Sequence, residues 1–70
     1  MFRYGASLEE NCIRKIEAGI RGIKSGTKTP IEAKCGYFLN KLKPLNEGMY
    51  NDLLDQYVQA KKDYDFKNNQ

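Results

Sequence analysis

Two residues in this chain carry a strongly nucleophilic group, Cys12 and Cys35, and none of the 70 residues is histidine. Without an imidazole a thiol lacks its commonest activating base, and general acid–base chemistry lacks its usual proton carrier. Both cysteines fall on apolar helical stripes, where a free thiol packs as a small hydrophobe, so both are expected to be buried and inert. Two are too few for a disulfide framework and, with no histidine, too sparse for a zinc site. In an antiparallel hairpin turning near Lys28, Cys35 lies opposite about residue 20, roughly 12 Å along the axis from Cys12. That separation excludes a bridge between them. The remaining acid–base candidates are Asp52, Asp55, Asp63 and Asp65, which map to the outer face of a helix or beyond its end, where solvated acids belong. The glycines of Gly19-Ile20-Arg21-Gly22-Ile23-Lys24 are helical by period and lack phosphate-loop spacing. The expectation is a non-enzymatic protein with no cofactor and no metal.

What chemistry the chain does offer is at its surface. Lys34, Tyr37 and Lys41 stand at i, i+3 and i+7, opposite an apolar stripe, with Asn40 beside them. An exposed aromatic between two cations can grip an acidic protein patch, or can stack on a base while the amines neutralise phosphates. Lys24 and Lys28 extend this candidate partner-binding surface. The net charge of +3 is unevenly spread: residues 1–45 hold nine Lys/Arg against four acids, and residues 46–70 hold three against five. Such asymmetry suits docking on an acidic partner, on nucleic acid or on a second copy. Tyr50, Tyr57 and Tyr64 repeat every seven residues. They are expected to border the core, each ring packed and each hydroxyl wet; a seam buried against another helix is the alternative.

Two helix-opening signals position these residues. Ser7-Leu8-Glu9-Glu10 and Thr29-Pro30-Ile31-Glu32 both have the form of a capping box, in which a hydroxyl accepts from a first-turn N–H and a glutamate reaches back to the cap. Pro30 at the first helical position strengthens the second. The first helix should span about 8–25, with Leu8, Cys12, Ile13, Ile16, Ile20 and Ile23 on its core face and Gly26 as a left-handed stop. Glu10–Arg14 and Glu17–Arg21 have i,i+4 spacing with the acid first. Gly19 and Gly22 each cost roughly 1 kcal/mol inside a helix, which points to close approach by another element. The second helix should run about 30–43, burying Ile31, Cys35, Phe38, Leu39 and Leu42 on one face, and Pro44 ends it. Asn46 caps a third helix of about 47–64, whose apolar face reads Met49, Tyr50, Leu53, Leu54, Tyr57, Val58, Ala60 and Tyr64.

The expected fold is all-α, a small three-helix bundle forming one domain over 1–70, with a short N-terminal arm (1–6) carrying Phe2 and Tyr4 and a frayed polar tail (65–70). A core this small gains from a partner, because apolar burial only narrowly offsets the cost of ordering a short chain. No apolar run reaches membrane-spanning length and the N-terminus lacks the pattern of a signal peptide, so a cytoplasmic location is expected, in the host cell if the source is viral. The functional expectation is a regulator, inhibitor or adaptor that binds another protein through its basic, aromatic helix surface. Small basic proteins of this kind are frequent in bacteriophage and mobile elements as inhibitors of host machinery. The alternative is a largely nonspecific nucleic-acid binder using the basic surface of the first two helices. A helix-turn-helix reading fits poorly, since Asp52, Asp55 and Asp63 on the third helix would repel phosphate and no arginine cluster is set to read guanine. Assembly between copies through Tyr50, Tyr57 and Tyr64 is a third reading.

Overall fold

The computed structural model describes residues 7–68. It is a small all-α three-helix bundle whose middle helix is broken in two: α1 (Leu8–Ser25), α2 (Pro30–Ala33), α3 (Cys35–Leu42) and α4 (Glu47–Asn68). The N-terminal arm expected at 1–6 and the last two residues of the expected tail lie outside the described residues.

Both ends of α1 follow their local chemistry. Ser7 Oγ accepts from Glu10 N at 3.2 Å. The returning arm of that box is replaced by an exposed ion pair, with Glu10 3.8 Å from Arg14. Gly26 ends the helix in the left-handed region at φ 82°, the conformation that glycine adopts without a Cβ penalty. Beyond it, Thr27 N and Lys28 N donate to Gly22 O at 3.0 and 3.1 Å, and the Ser25 and Thr27 hydroxyls donate to the same carbonyl. The connection is thus tied down onto the last turn of α1. The second box is complete: Glu32 N donates to Thr29 Oγ1 at 3.1 Å and Thr29 N donates to Glu32 Oε1 at 3.0 Å. Asn46 caps α4 as its type predicts, its Oδ1 accepting from Met49 N at 3.1 Å, while its Nδ2 donates to Glu9 of α1 at 3.2 Å.

That last bond places the start of α4 beside the start of α1. Farther along, Ile23 and Ala60 line one cleft, so α4 runs in the same direction as α1, with α2 and α3 returning between them in sequence. The core consists of Cys12, Ile16, Ile20 and Ile23 from α1, Ala33 from α2, Cys35, Leu39 and Leu42 from α3, and Leu53 and Ala60 from α4. The half-buried Ile13, Phe38, Met49, Leu54 and the three tyrosines of α4 pack around it.

Four expectations need correction. The second helix does not run unbroken over 30–43. Lys34 adopts the left-handed conformation, φ 54° and ψ 31°, and separates α2 from α3, which ends at Leu42. The cause is α1: a Cβ at Gly19 would stand 2.7 Å from Cys35 Sγ and 3.1 Å from Ala33 Cβ, so residues 33 and 35 both press on one spot. Two residues apart in a continuous helix point about 200° from each other, and only a break lets both reach Gly19. The second correction follows from the first, because Ile31, two residues before Ala33, is turned outward and is 87% exposed instead of buried. Third, Leu8 and Val58 are exposed although both lie on the expected apolar faces. Leu8 stands at the very start of α1, beside the end of the bundle marked by Glu9 and Asn46, whereas Val58 sits one residue past Tyr57 at the rim of the α4 stripe. Fourth, the third helix continues past 64 to Asn68, so Asp65, Phe66 and Lys67 are helical. No glycine or proline interrupts that stretch, and Lys67 in the last turn complements the helix dipole.

Candidate functional site

The surface singled out by the sequence divides into three places. Tyr37 and Lys41 are brought together on α3: Lys41 Nζ lies 5.0 Å from the centroid of the Tyr37 ring, and Tyr37 is 57% exposed. The ring also meets Phe38 edge-on, with centroids 5.1 Å apart. Phe38 is packed against the core, so an exposed aromatic is braced by a partly buried one. Asn40 is exposed on the same short helix. Lys34, expected one turn earlier on an unbroken helix, instead forms the α2–α3 junction, where it is exposed and its backbone N–H donates to Ile31 O at 3.3 Å.

Lys28 sits on the α1–α2 connection, its stem laid across Gly22: a Cβ there would stand 2.9 to 3.2 Å from the side chain of Lys28. This explains the second helical glycine as an opening for a neighbour's side chain, just as Gly19 is an opening for Cys35 and Ala33. The Lys28 ammonium is near enough to act on both Glu32 and Cys35. Lys24 belongs elsewhere. It faces α4, where with Ile23, Ala60, Asp63, Tyr64 and Lys67 it borders an open cleft of about 540 Å³. No local pattern in the sequence foretells this cleft, which exists only because α4 passes the end of α1.

Electrostatically, the stretch from Lys24 to Leu45 carries five lysines against one acid, Glu32. That acid is occupied: hydrogen bonds from the Thr29 backbone and then from its hydroxyl hold the carboxyl below its ordinary range, with Lys28 adding to the shift. The carboxylate therefore stays ionised, and the segment keeps an excess of four positive charges, five lysines against one acid. Both cysteines are free and buried. Burial raises the Cys35 thiol, Lys28 opposing only in part, and Cys35 Sγ donates weakly to Ile16 O at 3.7 Å. This is the environment of a packing thiol.

The tyrosines of α4 are all half-buried and packed on the core, in the bordering position expected of them. Lys43 Nζ lies 5.5 Å from the centroid of the Tyr50 ring, and Tyr64 forms part of the cleft wall. Among the described residues there is no group of three or more metal-ligating side chains, and no helix is long and apolar enough to cross a membrane. No family model, curated protein or solved structure matches this chain.

Proposed function

We propose that this chain is a non-enzymatic protein-binding protein, a regulator, inhibitor or adaptor, that engages its partner through the exposed basic and aromatic surface of α3 and the segments leading into it. The observation that carries the reading is Tyr37, exposed, braced by Phe38 and accompanied by Lys41 in a segment where lysines outnumber acids five to one. Rigid exposed aromatics beside cations are favoured binding anchors, because a large contact area comes at little entropic cost. Protein is preferred over nucleic acid because α4 carries Asp52, Asp55 and Asp63, which would repel phosphate, and no arginine cluster is set to read guanine.

The test is capture from nuclease-treated lysate of the native source or host by the immobilised chain. One protein retained in near-stoichiometric amount, and lost on Tyr37→Ala with the melting temperature unchanged, is the expected result. Retention of that protein by a folded Tyr37→Ala variant removes this surface. Retention that returns only when nuclease is omitted, and that weakens steeply with salt, replaces the reading with nucleic-acid binding.

A further inference from the structure

The apolar surface of α4 is wider than the bundle covers. Leu53 and Ala60 are buried in the core, Tyr50, Leu54 and Tyr57 pack against it only half-buried, and Val58 is 39% exposed. At about 100° per residue, Tyr50, Tyr57 and Val58 all fall within about 60° of Leu54 on an unbroken helix. They form one apolar stripe on the flank of α4. Charge brackets this stripe: Glu47 stands seven residues before Leu54 and Lys61 seven residues after it, and a seven-residue step drifts only about 20° from a straight line. Both are exposed, and among the described residues neither takes part in an ion pair within the chain.

We propose that this stripe is the interface between two copies of the chain, paired antiparallel through α4 about a two-fold axis at Leu54. The pattern is self-complementary under that operation. Glu47 comes level with Lys61 of the second copy and Lys61 with its Glu47, while Tyr50 comes level with Val58, Asn51 with Tyr57, and Leu54 with its own equivalent. Lys43, whose ammonium lies over the Tyr50 ring, adds a positive charge at the Glu47 end, and Asp65 of the second copy, four residues beyond Lys61, brings a negative one there. Parallel pairing would instead set Glu47 on Glu47 and Lys61 on Lys61. Sliding the antiparallel pair by one turn would set Glu47 level with Asp65 of the second copy. The charges thus select both direction and register, as flanking charges do in paired helices. This surface belongs to a different helix from Tyr37 and Lys41, so it stands apart from the protein-binding reading above. The line from Glu47 to Lys61 is about 21 Å long. One helix face of that length falls short of the roughly 800 Å² per partner of a standard interface, so the association is weak and depends on concentration.

The experiment is sedimentation equilibrium of the full-length chain from about 10 μM to about 1 mM, at low and at high salt. A reversible monomer–dimer equilibrium is expected. Glu47→Lys and Lys61→Glu each turn two attractive pairs per dimer into repulsive ones, and each should weaken the dimer about 30-fold at low salt and less at high salt. The double variant Glu47→Lys/Lys61→Glu should dimerise as the native chain does, and an equal mixture of the two single variants should form mixed dimers. Val58→Asp should abolish the dimer. All three positions are exposed, so every variant should keep the native helical circular dichroism; where a reversal does not, Glu47→Gln or Lys61→Gln carries the comparison. A monomer at every concentration, a dimer indifferent to the reversals or to Val58→Asp, or reversals that mixing does not rescue overturn the proposal. Loss of the dimer on Tyr37→Ala moves the contact to α3 and also overturns it. Failure of the α3 surface to capture a protein, with the dimer intact, rejects only the protein-binding reading.

Discussion

α1 meets its neighbours in two ways. Against α2 and α3 it offers Gly19, and the backbones close until Cys35 Sγ and Ala33 fill the space a side chain would need. Against α4 it offers isoleucines, and α4 replies with two fully buried residues, Leu53 and Ala60, flanked by half-buried tyrosines. The first contact is tight because both partners are small. The second is looser because large rings border it, and an open cleft remains where α4 passes the end of α1. A short chain can thus fix its geometry at one small-residue junction while leaving a second side wide and partly wet.

The largest expected effect sharpens the α4 side of that contrast. Leu53, 1% exposed, should cost about 3 kcal/mol as Leu53→Ala, whereas Tyr57→Ala at the rim should cost about 1 kcal/mol, both read by urea denaturation. Equal losses would mean that the tyrosine edge is as closely packed as the centre. On the tight side, Gly19→Ala should cost about 2 kcal/mol, because overpacking against Cys35 and Ala33 exceeds the gain in helix propensity. Gly22→Ala should lie within about 1 kcal/mol of native, since its neighbour is the movable Lys28 stem. If both glycines behave alike, the small-residue junction has no special standing.

Lys34→Gly tests the break by its sign. In an unbroken helix glycine costs about 1 kcal/mol; at a left-handed position it should instead raise stability by about 0.5 to 1 kcal/mol, visible as a higher melting temperature. The smallest effect concerns the outer end of α2. Glu32 has a lowered pKa in the folded state, so its contribution is present above the unfolded carboxylate pKa and fades as pH falls through the lower folded value. Glu32→Gln should therefore flatten slightly the loss of stability on acidification, measured as melting temperature against pH. An unchanged profile would show that the carboxylate adds nothing beyond the Thr29 hydroxyl.

Much of the architecture is local enough to be legible in the sequence. Ser7, Thr29 and Asn46 start helices because their side chains can satisfy first-turn N–H groups, and Gly26 ends one because it alone accepts φ 82° without strain. The core stripe of α1 from Cys12 to Ile23 follows from helical period. The pairing of Tyr37 with Lys41 was legible too, since residues four apart meet on any helix.

Tertiary structure decided the rest. Nothing near Lys34 announces a break, because lysine is a good helix former and Pro44 lies ten residues on. The break exists because Ala33 and Cys35 must both reach Gly19, a demand made by another helix 14 to 16 residues away in sequence. From it follow the exposure of Ile31 and the left-handed backbone of Lys34 at the start of α3. The separation of Lys24 from the other lysines and the cleft beside Tyr64 likewise depend on where α4 passes α1. Caps and period act within a turn or two and are written in neighbouring residues, but which face meets which, and how closely, is set only when side chains distant in sequence compete for the same space.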